Sequence, residues 1–283
     1  MTEHTEYFEI VTRDGLTLQG KKTSPQFAEG KEPTALLCLV HGFGEHQERY
    51  THVSEALIEE GIIVYTMDLR GHGKSDGKRG HAKRYSYLID DVEELLIYAR
   101  EEYNDTPLFL MGHSFGGHIV ADFLLRKTTG EIKAAILSSP WLKLAFEPPA
   151  FKVKLARLMT KIYPAYSDTS EMDVSKLSRD PEVVASYEND PLVLNTITAG
   201  LFTSILNASK WIIDNASQLK VPTLLYHGTA DEIISIEGSR AFSKNATANL
   251  TYRELEGVYH EPHNDLGKEK VLKMIRDWIA DHL

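Results

Sequence analysis

The sequence has a single cysteine, Cys38, among 283 residues. No intrachain disulfide can form, so the fold must stand on its core alone. Cys38 sits inside the apolar run ALLCLV and reads as a small buried core residue. Basic excess is also missing: 31 Lys and Arg face 41 Asp and Glu, a formal net charge of −10. A chain of that sign repels polyanions, so nucleic acid is not expected as a partner. No apolar run approaches the ~18 residues of a membrane-crossing helix. The opening MTEHTEYFEI lacks the basic start and apolar stretch of a secretory signal. The expectation is therefore a soluble, cytoplasmic protein, and the N-x-S/T sequons at Asn207, Asn215, Asn245 and Asn249 read as coincidence. Internal repeats, low-complexity tracts and long linkers are missing too.

What is present is an alternation. YFEIVT and LTLQGKK flank Arg13-Asp14-Gly15, a hairpin signal. Short apolar runs follow at 35–40, 62–68, 107–112, 132–139, 221–228 and 250–257. They are too continuous for half-exposed strands and suit a parallel sheet covered on both faces. Amphipathic segments lie between them. Leu88, Val92, Leu95 and Ala99 form one stripe, and Val271, Ile275, Trp278 and Ile279 another. Strand–helix alternation predicts an α/β sheet with right-handed crossovers. The alternation breaks between about Trp141 and Leu219, where helical signals continue without a convincing strand. The division expected is a core over 1–140, a helical cap over 141–219 and the rest of the core over 220–283. A segment of that length is too long for a passive connection, so a function is expected for it.

Gly112-His113-Ser114-Phe115-Gly116 is a G-x-S-x-G motif that follows the predicted strand PLFLMG and opens the helical segment HIVADFLLRK. That context holds a serine on a sharp bend, where glycines on either side remove colliding side chains. The helix N-terminus points free N–H groups at the place where negative charge develops. Serine is a weak nucleophile and needs a base steadied by an acid, which in this arrangement follow in the order acid, then histidine. Asp231, in the loop after VPTLLYHG, is the expected acid. The base is His260 or His263, both in GVYHEPHND. His260 is preferred, with His263 in the pocket wall. The spacing of the two histidines lacks the cysteines or carboxylates of a zinc site. Backbone N–H groups of Phe115 and of Phe43, in His41-Gly42-Phe43-Gly44, are the expected oxyanion donors.

In order along the chain, HGFGEHQERY, MDLRGHGKSDG, GHSFGG, HGTADE and GVYHEPHND resemble the monoacylglycerol lipases and their lysophospholipase-like relatives. The resemblance runs from about residue 5 to the C-terminus and includes SRDPEVVASYENDPL. It implies an α/β-hydrolase fold: a mostly parallel eight-stranded sheet flanked by helices, with a mobile helical cap inserted after the sixth strand. It implies no metal and no cofactor, and its triad falls on Ser114, Asp231 and His260. It further implies a polar pocket for a glycerol head group at Glu45, Arg49, Tyr187 and His263, although Arg49 could equally pair with Glu45. Phe43 and Phe115 depart from the smaller Ala and the Met of the mammalian enzymes. Only their N–H groups are required, but a bulky Phe43 narrows an acyl path.

Within the expected cap, Phe151, Leu155, Leu158, Met159 and Ile162 form an apolar stripe, while Lys152, Lys154, Arg157 and Lys161 occupy the other face. Such a helix can rest transiently on an anionic lipid surface or line an acyl tunnel. The expected activity is hydrolysis of a monoacylglycerol ester through an acyl-enzyme. Lysophospholipase or broad carboxylesterase activity is the rival within this chemistry, and a non-catalytic binder on the same fold is the rival outside it.

Overall fold

Strand after strand is buried along its whole length. A computed structural model describes residues 3–27, 30–169 and 172–283. In it β3 (Ala35–Val40), β4 (Ile62–Met67), β5 (Leu108–His113) and β9 (Thr223–Gly228) leave no residue exposed. Successive side chains of a strand point to opposite faces, and both faces here are covered. Leu36, Cys38 and Val40 join one core cluster, with Val92 and Leu95 of α2 (Ser86–Glu102) and Ile119 of α3 (Phe115–Arg126). Ala35, Leu37 and Leu39 join the other, with Val53 of α1 (Thr51–Ile58) and Ile275 of α8 (Lys268–Ala280). Each fully buried Leu or Ile side chain stabilises the fold by roughly 1.5–3 kcal/mol relative to an exposed one.

The remaining strands are β1 (Glu3–Val11), β2 (Thr17–Pro25), β6 (Ile132–Ser138) and β10 (Leu250–Leu255). With them the sheet has eight strands in the order β1-β2-β4-β3-β5-β6-β9-β10. All pairings are parallel except those β2 makes with β1 and β4. The architecture is the mostly parallel, helix-flanked sheet expected from the sequence. One strand differs in kind. LTYREL was expected to be covered on both faces, yet β10 is half-exposed with Arg253 and Glu254 in solvent. It pairs on one side only, with β9, and an edge strand keeps charge on its open side.

Between β6 and β9 the chain leaves the sheet. It forms α4 (Ala150–Ile162), β7 (Ser167–Thr169), α5 (Pro181–Glu188), β8 (Thr196–Thr198) and α6 (Ala199–Asp214), then returns. β7 and β8 pair antiparallel. No strand was expected here, because three residues are too few to show an alternation. Asp180 starts α5 by accepting the Glu182 N–H at 2.9 Å, with Pro181 in the first turn where no N–H is needed.

The two long helices of this segment behave differently. α6 buries Leu201, Ile205 and Ile212 in the same cluster as α2 and α3. α4 buries nothing. After α6 the chain forms β9 and α7 (Ile236–Asn245), whose Phe242 joins that cluster too. Among the described residues, no helix is long and apolar enough to cross a membrane.

Candidate active site

Ser114 sits between the end of β5 and the start of α3 with φ +51°, a backbone region that L-residues rarely occupy. The bend closes only because its neighbours are glycines. A Cβ on Gly112 would lie 2.4 Å from the Gly116 carbonyl oxygen, and one on Gly116 would lie 2.1 Å from that of Val40. The strained turn is pinned from both sides: the Ser114 N–H donates to Ser138, and the Ser114 carbonyl accepts from Trp141.

His260 Nε2 lies 3.0 Å from Ser114 Oγ, and its Nδ1 lies 2.7 Å from Asp231 Oδ2. The tautomer that satisfies both carries its proton on Nδ1 and accepts the serine hydroxyl at Nε2. Asp231 comes after β9 and His260 after β10, which are adjacent parallel strands. Their loops are stitched together, with Ala230 N–H donating to the Val258 carbonyl at 3.1 Å and Gly257 N–H to Thr229 Oγ1 at 2.8 Å.

Burial alone would lower the His260 pKa, but the charge of Asp231 and its hydrogen bond outweigh burial and raise it above the ordinary histidine value. Burial alone would raise Asp231, but the charge of His260 and hydrogen bonds from His227 and His260 pull it well below the usual carboxylate range. Asp231 is therefore ionised and acceptor-only near neutral pH.

Phe43 N–H and Phe115 N–H donate to no protein acceptor among the described residues. Phe115 is the first residue of α3, so its N–H is one that the helix itself leaves free. The Phe43 ring packs edge-on against Phe115 and Trp141, at centroid distances of 5.9 and 6.0 Å.

A cavity of about 1260 Å³, including its open mouth, reaches Ser114 and His260. Most of its wall is apolar. Trp141, Leu144 and Ile233 come from the core side, Leu155 and Ala156 from α4, and Ile197 and Phe202 from β8 and α6. Beside the serine the wall turns polar, with Glu45, Tyr187 and Glu261. Glu45 Oε1 accepts the Gly42 N–H and the Tyr50 hydroxyl, each at 2.6 Å.

Of the four residues expected around a head group, two line this cavity and two do not. Glu45 and Tyr187 line it. Arg49 stands behind, its guanidinium shared between Glu45 and Glu261 (2.7 and 2.8 Å to the latter's oxygens) and lying 4.7 Å from the Tyr187 ring centroid. His263 is fully buried outside the lining, stacked on Tyr50 at 4.9 Å and edge-on to His113 at 4.7 Å. Desolvation holds it neutral, with its pKa down at about 3. In the HEPHN segment His260 and Glu261 line the cavity, whereas His263 does not.

Sequence reasoning missed Glu261. Its signal is an acid directly after the base, one residue from a proline, and it becomes legible only once Arg49 is seen opposite. Burial would raise Glu261, but the fork of Arg49 brings its pKa down to about 2. Glu45, raised by burial and by the neighbouring charge of Glu261, is the more basic of the pair.

Of the α4 stripe, Leu155 alone lines the cavity. Phe151, Leu158 and Ile162 face solvent, at 67%, 53% and 69% exposure, and Met159 is half-buried.

The chain is similar to known proteins over most of its length. The family model for serine aminopeptidase S33 (Hydrolase_4) matches residues 31–267. An uncharacterized abhydrolase domain-containing protein of Dictyostelium discoideum is 33% identical over 276 residues, covering 97% of this chain and 29% of its own length. A monoacylglycerol lipase of Mycolicibacterium smegmatis is 33% identical over 254 residues, covering 89% of this chain and 90% of its own. The crystal structure of Paleococcus ferrophilus monoacylglycerol lipase superposes with a TM-score of 0.82 at 31% identity, over 100% of both chains. With a strained serine, a histidine and an aspartate in contact on a mostly parallel sheet, and a model match over most of its length, the chain belongs to the serine aminopeptidase S33 family of α/β-hydrolases.

Proposed function

We propose that this protein is a serine hydrolase cleaving the ester of monoacylglycerols to fatty acid and glycerol. The observation that carries the reading is the cavity's polarity: a mostly apolar wall in which Glu45, Tyr187 and Glu261 share the lining with Ser114 and His260. An amphiphile with one acyl chain and a small neutral, hydroxyl-rich head matches both kinds of lining. Glu45, Glu261 and Tyr187 accept or donate to vicinal hydroxyls, and Arg49 holds the two carboxyls in place. His263 acts from behind, by packing on Tyr50 and His113.

In this reading His260 takes the Ser114 proton as the hydroxyl oxygen attacks the ester carbonyl, and Asp231 holds the imidazolium that forms. The Phe43 and Phe115 N–H groups receive the oxyanion, each contributing about 3–4 kcal/mol to the barrier reduction. The protonated His260 passes its proton to the departing glycerol oxygen. A water then repeats the sequence on the acyl-enzyme and releases the fatty acid.

A lysophospholipid fits less well. Its phosphate would enter beside Glu45 and Glu261, and at that end the single guanidinium is already shared between the two carboxyls. Residues 141–219 are proposed as the cap, with α4 as its outer, membrane-facing part. Phe151, Leu158 and Ile162 are presented to solvent next to Lys154, Arg157 and Lys161, an arrangement suited to peripheral contact with anionic lipid.

The test is a hydrolysis panel of 1- and 2-monoacylglycerols of several chain lengths, diacylglycerol, lysophosphatidylcholine, lysophosphatidic acid and an aminoacyl anilide. Monoacylglycerols should show the highest kcat/KM, and lysophosphatidic acid should be turned over slowest of the lipid esters. Faster turnover of a lysophospholipid or of the anilide would sink the assignment.

A further inference from the structure

His227, the penultimate residue of β9, is fully buried and does not line the cavity. Its Nε2 lies 3.0 Å from Asp231 Oδ2 and 3.1 Å from the Ile234 carbonyl oxygen. Both partners are acceptors, so Nε2 carries a proton whatever the charge of the ring. Its Nδ1 lies 2.8 Å from the hydroxyl of Ser239, on α7, and Ser239 is fully buried too. A hydroxyl can donate to Nδ1 or accept from it, so this contact holds the ring in place in either state. The result is a second imidazole on the same carboxylate oxygen that receives His260 Nδ1. The other oxygen, Oδ1, accepts the N–H groups of Ile233 and Ile234, both at 2.9 Å. Four N–H donors thus fix the plane of Asp231.

Resting on the triad reading above, we propose that His227 is a positioning residue: it holds the Asp231 carboxylate in plane with His260 and, by sharing Oδ2, limits how tightly that oxygen holds the imidazolium. A base held too tightly as its cation is a poor proton donor to the leaving group, and catalysis is best when its proton affinity matches the working pH. A carboxylate that already accepts other donors is a weaker partner for the next. Glu261 and Glu45 also act on His260, His113 and His263 pack close by, and Glu254 on β10 acts on His227. None of these changes in the variants below.

The test uses the full-length chain with His227→Leu, His227→Gln and Ser239→Ala, assayed on a soluble ester across pH, with folding followed by thermal melting. Wild-type and Ser114→Ala proteins are also treated with a fluorophosphonate probe. A hydrogen bond to a charged group is worth roughly ten- to a hundredfold. His227→Leu should therefore lower kcat by about that factor at unchanged KM, and the acid limb of kcat/KM should move to higher pH. His227→Gln, whose amide N–H can reach Oδ2, should restore most of kcat and return the limb toward its original position. Ser239→Ala should give a smaller loss with a shift in the same direction, which keeps the test open should His227→Leu fail to fold. A limb that stays in place in Ser239→Ala and in a folded His227→Leu overturns the proposal, as do equal losses in the Leu and Gln variants. If the probe labels the wild type at Ser114, those failures count against His227 alone. If it does not, the triad reading falls and this proposal with it.

Discussion

The two helices α4 and α6 lie side by side in one segment between β6 and β9, and they obey different physics. α6 buries Leu201, Ile205, Ala208 and Ile212 against the core. α4 is as strongly patterned in sequence, yet it buries none of its residues and turns Phe151, Leu158 and Ile162 outward. Both contribute to the cavity wall, α4 through Lys152, Leu155 and Ala156, and α6 through Ala199 and Phe202. An amphipathic stripe therefore states that a helix has an apolar face. It does not state whether that face meets protein, lipid or a substrate. The core-side wall is held by both burial and hydrogen bonds. The outer wall is held less: α4 buries no residue and is tied to α6 through Thr160, whose hydroxyl meets the Ala199 carbonyl and Thr203 Oγ1 at 3.1 Å each, and local opening belongs to such regions.

That contrast can be broken most sharply at the chemistry. Ser114→Ala should lower kcat by about 10⁴- to 10⁶-fold, because the residues around a nucleophile act as a unit. Leu158→Ala on α4 should leave hydrolysis of a soluble short-chain ester within about twofold, since its side chain does not line the cavity. A steady-state comparison of the two variants checks both. Comparable losses would mean that the outer wall takes part in the reaction.

Stability should divide the helices next. Ile205→Ala in α6 should cost about 2–5 kcal/mol of unfolding free energy, as truncation of a fully buried side chain does. Leu158→Ala in α4 should fall within about 0.5 kcal/mol. Denaturant titration measures both, and a comparable cost would show α4 to be packed in solution.

The pH profile tests the core-side wall alone. His260 must be neutral to act, and its pKa is raised by Asp231. Activity is therefore lost as pH falls, with the acid limb of kcat/KM above the ordinary histidine value. Asp231 and Glu261, held low, stay ionised across that range and add no limb. A limb at or below the ordinary value would mean that the Asp231 contact is weaker in solution than 2.7 Å implies.

The smallest effect belongs to the outer wall. Lys154→Glu with Arg157→Glu should weaken co-sedimentation with phosphatidylserine vesicles by about fivefold for each cation removed, with soluble-ester turnover unchanged. Unaltered binding would argue that α4 meets no lipid.

Several elements were readable because one local rule dominates each. ALLCLV and IIVYTM can only be strands covered on both faces, and the Asp14-Gly15 turn can only join neighbours. GHSFG between a strand and a helix demands a tight bend whatever the rest of the chain does. Other features had no local rule. The three-residue strands β7 and β8 carry no period, and the edge position of β10 depends on where the sheet stops. The exchange of Glu261 for Arg49 and His263 at the cavity wall depends on which way a loop turns, and His227 gives no hint in sequence that it shares Asp231 with His260.

By itself the sequence determined the long strands and the apolar stripes of the helices, and it brought Ser114, Asp231 and His260 forward as candidates, because each follows from short-range periodicity or from a motif with a tight steric demand. The tertiary structure alone decided which side chains meet: that Arg49 is bound by two carboxyls, that His227 and His260 share one oxygen, and that of the two long helices between β6 and β9 one enters the core while the other stays outside. Those outcomes come from packing between residues far apart in the chain, where the free energy lies in complementary surfaces and paired charges that no single segment contains.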